Sequence, residues 1–252
     1  MFDLHGKTAI VTGGNKGLGF AMCLGLARAG ADILNVSRSE DDNQICQMVK
    51  DSGRKYMHYI EDLSQLDAQK ANFLIETAVR EFGHVDILLN NAGANRRASF
   101  LEYAEEDWDY LCHLNLKSTY LLSQSFAKQV IQQKTKGKII NIASMLSFTG
   151  GVYCPAYTAS KTGVMGLTKA MANELSKYNI NCNAIAPGYM DTLLTKDIQN
   201  DPVRNKEILD RIPMKKWGQP ESLQGVVIFL ASDASDYVCG ATIPVDGGWL
   251  SR

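Results

Sequence analysis

Tyr157 and Lys161 stand four residues apart in Tyr157-Thr158-Ala159-Ser160-Lys161, and Ser144 lies thirteen residues before Tyr157 at the end of an apolar run. In a helix this spacing puts phenol and ammonium on one face, where the cation stabilises a phenolate. A free tyrosine ionises near pH ~10, so proton transfer near neutrality needs a shift of about three units, roughly 4 kcal/mol. A neighbouring ammonium in a partly desolvated site supplies much of that. Ser144 would hydrogen-bond the same substrate oxygen that Tyr157 protonates. Taken alone, a tyrosine and lysine at helical spacing are usually a solvated or packing pair.

A proton device of this kind needs a redox partner. Thr12-Gly13-Gly14-Asn15-Lys16-Gly17-Leu18-Gly19 joins an expected first strand, Thr8 to Val11, to a helix with Leu18, Ala21, Met22, Gly25, Leu26 and Ala29 on one face, ended by Gly30. Glycines there permit a tight turn and the close approach of a pyrophosphate, whose charge is stabilised by free N–H groups at the helix N-terminus. The position between strand and helix reads as a dinucleotide site.

The elements that must position these residues alternate along the chain. Further strands are expected at Asp32 to Val36, Lys55 to Ile60, Asp86 to Asn90, Lys138 to Ala143, Asn179 to Ile185 and Ala241 to Val245, with helices near 40–52, 66–82, 104–134, 157–177 and 221–231. That order predicts an α/β fold, a seven-stranded parallel doubly wound sheet with helices on both faces. With 252 residues, 45% apolar, and no linker, it predicts one domain over 1–252. Segments 92–103, 145–156 and 187–220 are expected to be irregular. All three follow strands, so they would lie outside the carboxyl ends of the sheet, where open α/β folds bind ligands.

Composition excludes several classes. A net charge of −1 offers no field for nucleic acid or an anionic membrane, and Arg96-Arg97 and Lys215-Lys216 are too short to act as basic tracts. No apolar stretch reaches membrane-spanning length, and Met1 to Lys7 lacks signal-peptide form, so a cytoplasmic protein is expected. Cys23, Cys46, Cys112, Cys154, Cys182 and Cys239 never fall at a C-x-x-C spacing, and the four histidines are scattered. Reduced, mostly buried thiols and no protein-bound metal are the expectation.

The spacing of Gly13, Gly17 and Gly19, the run Asn90-Asn91-Ala92-Gly93, and the Ser144/Tyr157/Lys161 set resemble the short-chain dehydrogenase/reductase family from about residue 5 to the C-terminus. The resemblance implies a Rossmann fold and a catalytic tetrad of Asn115, Ser144, Tyr157 and Lys161. Tyr157 would be the general acid/base and Ser144 would polarise the reacting oxygen. Lys161 would lower the tyrosine pKa and hold the nicotinamide ribose, and Asn115 would support a water linking Lys161 to solvent. Gly13, Asn15, Lys16, Gly17, Leu18 and Gly19 would cradle the pyrophosphate. Asn91, Ala92 and Gly93 would close over the cofactor, Asp62 and Leu63 would meet the adenine, and Pro187, Gly188 and Thr192 would lie near the nicotinamide.

Cofactor choice stays open on the residues. NAD specificity usually rests on an acid at the end of the second strand, about 20 residues beyond the glycine loop, but Ser37 stands there, followed by Arg38. Arg38 and Lys16 lean toward NADP(H). A narrower resemblance leans toward NAD(H). Asn141 to Phe148, Ala186 to Met190, Arg211-Ile212-Pro213 with Trp217-Gly218, and Val245 to Leu250 are similar to the 2-deoxy-D-gluconate 3-dehydrogenase branch, also called 2-dehydro-3-deoxy-D-gluconate 5-dehydrogenases, with gluconate 5-dehydrogenases close by.

A sugar-acid substrate requires a cation for its carboxylate, and Arg96 and Arg97 are the candidates, since guanidinium binds carboxylate with paired hydrogen bonds. Met145, Tyr153, Tyr189, Met190 and Trp217 would line the remaining wall. The rival enzyme reading is a 3-oxoacyl carrier-protein reductase. The rival of another class is a nicotinamide-nucleotide sensor or scaffold that keeps the fold without turnover. Leu116, Leu121, Leu122, Phe126, Met165, Leu167, Met171 and Leu175 exceed what one buried face requires, and the family's habit of pairing these helices implies a homotetramer.

Overall fold

The computed structural model describes residues 1–40 and 44–251. Seven strands, β1 (Thr8–Thr12), β2 (Asp32–Ser37), β3 (Tyr56–Ile60), β4 (Ile87–Asn90), β5 (Gly137–Ile142), β6 (Ile180–Pro187) and β7 (Thr242–Val245), form one parallel sheet in the order β3-β2-β1-β4-β5-β6-β7. The helices are α1 (Gly17–Arg28), α2 (Gln44–Asp51), α3 (Ala68–Phe82), α4 (Glu105–Cys112), α5 (Ser118–Gln133), α6 (Leu146–Thr149), α7 (Pro155–Leu175), α8 (Lys196–Asn200), α9 (Pro202–Arg211) and α10 (Gln224–Ala231).

Successive strand residues face opposite layers, as the period of two requires. Val11 and Leu89 pack with Met22, Leu26, Val49 and Val227 of α1, α2 and α10. Ile10 and Leu88 pack with Leu74, Leu122, Phe126 and Ala172 of α3, α5 and α7. Because helices cover both faces, β1 and β5 are buried along their whole length. Each large side chain removed from water contributes about 1.5–3 kcal/mol.

The strand order reverses between β1 and β4, so the connections leaving these strands part and open a crevice above their carboxyl ends. Beneath that crevice a polar chain fixes the layers. Asn90 Nδ2 donates to Ser123 Oγ at 3.0 Å and to Asn141 Oδ1 at 2.9 Å, and Asn141 Nδ2 donates to Thr168 Oγ1 at 2.9 Å. β4, β5, α5 and α7 are thereby held in one register.

Three segments depart from expectation. The helix expected across 104–134 is α4 and α5 joined by a π-helical turn, His113–Lys117, in which Ser118 N–H reaches back to the His113 carbonyl. Segment 187–220 contains α8 and α9, because Pro202 occupies the first turn of α9 behind Asp201, whose carboxylate caps Val203 and Arg204 N–H. Segment 145–156 contains the short α6. The helix expected at 40–52 is described from Gln44, and 41–43 lie outside the described residues. Among the described residues no cysteine forms a disulfide; Cys23, Cys154 and Cys182 are buried, Cys46 and Cys112 half-buried and Cys239 exposed. Among the described residues no helix is long and apolar enough to cross a membrane.

Candidate active site

α7 opens with Pro155 in its first turn and carries Tyr157 and Lys161 one turn apart. Lys161 is 4% exposed, its Nζ donates to the Ile142 carbonyl at 2.6 Å, and it lies 5.9 Å from the centre of the Tyr157 ring. Ser144 follows β5. Its N–H donates to Ser147 Oγ at 3.2 Å and its Oγ accepts from Leu146 N–H at 3.1 Å, which fixes the hydroxyl beside the phenol. Burial pushes the Tyr157 phenol up, with a hydrogen bond to Ser144 working in the opposite direction. Burial pushes the Lys161 ammonium down to about 8.

The Tyr157 shift runs against the direction expected from the Lys161 spacing. A charge roughly 6 Å away at an effective dielectric of about 20 is worth about 3 kcal/mol, or about two pK units. Desolvation of a buried group is of the same size and favours both neutral forms. The phenol is therefore held protonated.

Lys161 carries a stability cost with a definite sign. A folded pKa of about 8 against 10.5 means that burying the ammonium costs up to about 3 kcal/mol at pH 7. The cost declines as pH rises above about 8 and vanishes above the unfolded value. Lys161→Met is expected to raise the melting temperature at pH 7 and to lose that advantage near pH ~10. Thermal unfolding at the two pH values checks this, and a variant less stable than wild type at pH 7 would refute it.

Asn115 sits in the π-helical turn, where five-residue hydrogen bonding turns its side chain inward. Its Nδ2 donates to the Ala94 carbonyl at 3.0 Å and to Ser160 Oγ at 3.1 Å, and its Oδ1 accepts from Ala94 N–H at 3.0 Å. The side chain is a strut between the β4 loop and α7. A Cβ on Gly93 would lie 3.0 Å from Asn115 Oδ1 and 3.5 Å from Lys161 Nζ, so the three meet.

The glycine loop leaves β1 with Gly13 and Gly17 at φ of 69° and 57°, values that L side chains rarely adopt. Gly13 N–H donates to the Val36 carbonyl at 2.7 Å, and Gly14 N–H to Asn35 Oδ1 at 2.9 Å. A Cβ on Gly19 would collide with the Gly13 carbonyl oxygen and with Asn91 Nδ2. Asn91 in turn donates to the Thr12 and Gly13 carbonyls at 2.9 and 3.2 Å, while Thr12 Oγ1 accepts from the N–H groups of Asn91 and Ala92, both at 2.9 Å. No side chain caps α1 and no acid stands in its first turn. Its free N–H groups and close-packed glycines fit a pyrophosphate.

Comparison with known proteins decides the family. The model described as enoyl-(acyl carrier protein) reductase matches residues 13–250. A 2-dehydro-3-deoxy-D-gluconate 5-dehydrogenase of Escherichia coli (strain K12) is 55% identical over 251 residues, covering 100% of this chain and 98% of that protein. The chain belongs to the short-chain dehydrogenase/reductase family. A crystal structure from Agrobacterium tumefaciens, provisionally named 2-deoxy-D-gluconate 3-dehydrogenase and holding NADP, superposes with TM-score 0.93 at 44% identity, covering 100% and 99% of the two chains. A gluconate 5-dehydrogenase from Burkholderia cenocepacia J2315, in complex with NADP and tartrate, gives 0.94 at 36% identity, covering 100% and 98%. As a short-chain dehydrogenase/reductase this chain is an NAD(P)-dependent oxidoreductase.

On the β1 side of the crevice, the short-chain dehydrogenase/reductase sheet continues into β2 and β3. Buried Ser37 lies 2.8 Å from His58 Nε2 and donates its hydroxyl to the Ser39 carbonyl at 2.9 Å. With its proton so used, Ser37 Oγ accepts from His58, which fixes the proton on Nε2. Asn15 Nδ2 reaches Ser39 Oγ at 3.4 Å, and exposed Arg38 donates to Tyr110 OH at 3.3 Å. Asp62 caps the turn of buried Leu63 by accepting from Ser64 N–H at 2.9 Å. Gly188 N–H donates to the Val245 carbonyl at 2.9 Å, carrying the chain from Pro187 toward Thr192, which caps the next turn with Thr195. Lys16 is exposed at the mouth of the loop.

The two arginines part company. Arg96 is paired with Asp107 and stacked 4.2 Å from the Tyr110 ring centre, so its guanidinium is already spent. Exposed Arg97 bears on both Tyr157 and Tyr189, lowering the pKa of each against the larger effect of burial. Tyr189 meets Trp217 and Trp249 edge to face at 5.4 and 4.9 Å. Tyr153 is exposed at φ 61°, with its carbonyl accepting from Ala98 N–H at 3.1 Å. Met145 and Met190 do not form open wall: Met145 is packed beneath α8 and α9 with Trp249, and Met190 lies in the main core against Gly218. Asn35, His58 and Tyr110 also build the site and carry no motif of their own in the sequence. A lone asparagine inside a buried strand, Asn35 between Leu34 and Val36, is a signal that points to one of them.

Proposed function

We propose that this enzyme interconverts a secondary alcohol and a ketone of a small sugar acid, 2-deoxy-D-gluconate or 2-dehydro-3-deoxy-D-gluconate, with NADP(H) as the preferred carrier. The carrying observation is Arg97, an uncommitted guanidinium whose field reaches Tyr157 while its neighbour Arg96 is neutralised by Asp107. The names of the relatives support the substrate class. Ser37 in place of an acid, with Arg38 beside it, supports the 2′-phosphate.

A bound nicotinamide supplies or accepts the hydride at the carbinol carbon. Gly13, Asn15, Gly17, Leu18 and Gly19 would hold the pyrophosphate, with Lys16 adding charge. Lys161 would hold the ribose hydroxyls. Asn91, Ala92, Gly93, Pro187, Gly188 and Thr192 would frame the nicotinamide end, and Asp62 and Leu63 the adenine. In reduction Tyr157 gives its proton to the nascent alkoxide, a role that its raised pKa suits, while Ser144 holds the same oxygen. In oxidation the proton returns to Tyr157, and alkaline conditions assist. Asn115 keeps Ala94 and α7 together so that Lys161 and Tyr157 stay in register.

Arg97→Ala is expected to raise KM for sugar acids about 10- to 100-fold with a smaller effect on kcat, as loss of a charge-assisted carboxylate contact requires. Arg96→Ala should act more weakly and through loop order. Equal, small effects in steady-state kinetics would sink the carboxylate role. The reading as a whole is tested by a panel of sugar acids, simple ketones and 3-oxoacyl thioesters, each with NAD(H) and NADP(H). Sugar-acid turnover is expected; turnover of thioesters alone, or nucleotide binding with no turnover, contradicts it.

Residues 1–252 would act as one catalytic domain in a homotetramer in the cytoplasm, a compartment suited to cysteines that form no disulfide. Of the apolar residues suspected of pairing, Leu121, Leu122 and Phe126 are core. Leu116 and Leu167 instead line an outer groove of about 750 Å³ with Tyr120, Cys112 and Gly163, and this groove supports pairing of α4, α5 and α7 between copies. Sedimentation should give a tetramer, and a monomer at micromolar concentration would contradict it.

A further inference from the structure

Tyr110, half-buried on α4, touches two of the crevice's arginines, Arg38 and Arg96. Its hydroxyl accepts from Arg38 Nη1 at 3.3 Å, and the face of its ring carries the Arg96 guanidinium at 4.2 Å. Arg38 leaves the end of β2, seventy-two residues from Tyr110 in sequence, so this bond crosses from sheet to helix on the β1 side of the crevice. Asp62 closes the same region from β3. Burial acts to raise the Asp62 carboxyl, but hydrogen bonds from Ser64 and then the nearby charge of Arg38 hold it below its ordinary value. The end of β2 and α4 together therefore locate one guanidinium next to Ser37.

An exposed arginine has many rotamers, and capturing an anion with it means ordering all of them. A guanidinium already tethered loses less freedom on binding, so pre-placement appears as affinity. We infer that Tyr110 is a positioning residue for cofactor selectivity, its hydroxyl holding Arg38 where the 2′-phosphate of NADP(H) must lie. The inference rests on the proposed preference for NADP(H) and adds the device that sets it. The phenyl ring separately seats Arg96, so removing only the hydroxyl isolates the Arg38 tether.

The test is equilibrium binding of NADPH and NADH, followed by nicotinamide fluorescence, to wild type, Tyr110→Phe, Arg38→Ala and the double variant, with thermal melts to confirm folding. Wild type should bind NADPH more tightly. Arg38→Ala should weaken NADPH by about tenfold or more and leave NADH within about twofold. Tyr110→Phe should weaken NADPH by about three- to tenfold, again sparing NADH, and should add nothing in the Arg38→Ala background. Equal weakening of both nucleotides, unchanged NADPH affinity, or a full additive effect in the double variant would each overturn the role of Tyr110 while leaving the Arg38 preference intact. A wild type without preference for NADPH, unaffected by Arg38→Ala, would overturn the cofactor reading and this inference together.

Discussion

Tyr157→Phe is expected to lower kcat by about 10²- to 10⁴-fold, the usual contribution of a positioned general acid/base. The substitution deletes one oxygen and leaves the ring, so the packing of α7 and the contact with Lys161 at 5.9 Å persist. Nucleotide affinity and melting temperature should stay near wild type. The phenol is held protonated by burial, with Ser144 opposing, so its loss removes the proton donor for reduction rather than a charge. Ser144→Ala should lower kcat less, because the other partner of the reacting oxygen remains. Stopped-time assays in both directions decide the matter: turnover within about tenfold of wild type would remove Tyr157 from proton transfer.

Gly19→Ala carries the other large effect, and it arises from sterics alone. Gly19 is helical with ordinary φ, so the added methyl brings no backbone strain of its own. It would strike the Gly13 carbonyl oxygen and Asn91 Nδ2, and neither can retreat cheaply. Gly13 is tied to Val36 at 2.7 Å and Asn91 to the Thr12 carbonyl at 2.9 Å. Overpacking of this kind costs about 1–3 kcal/mol. The turn must open, which also displaces the free N–H groups of α1. NADPH affinity should fall by about 100-fold or more, with a lower melting temperature. Gly225→Ala, which meets nothing within 4 Å, serves as the control and should leave both unchanged. Equal behaviour of the two variants would argue against the loop as the nucleotide cradle.

The parts legible in the sequence are those with local causes. Buried strands read as apolar runs because helices cover both faces, and the i, i+4 spacing of Tyr157 and Lys161 needs only a helix. Pro202 and Pro155 open α9 and α7, where their missing N–H costs nothing, so two helix starts fall inside segments expected to be irregular. The π-helical turn at His113–Lys117 has no periodic signature, since one extra residue per turn leaves the apolar pattern on either side intact. Non-local partners were out of reach. Arg96 and Arg97 are adjacent and alike in sequence, and only the fold puts Asp107 and Tyr110 against the first and Tyr157 near the second. The direction of the Tyr157 shift belongs to the same class, because the weight of desolvation against an ammonium depends on burial.

The central claim joins one proton device to one anionic substrate, and the most direct measurement is kcat/KM for 2-deoxy-D-gluconate against its uncharged methyl ester, in wild type and Arg97→Ala. The expected result is a preference of about tenfold or more for the acid in wild type. It should collapse toward unity in Arg97→Ala through loss of activity on the acid alone. Equal kcat/KM for acid and ester in wild type, or an unchanged preference without Arg97, would contradict it.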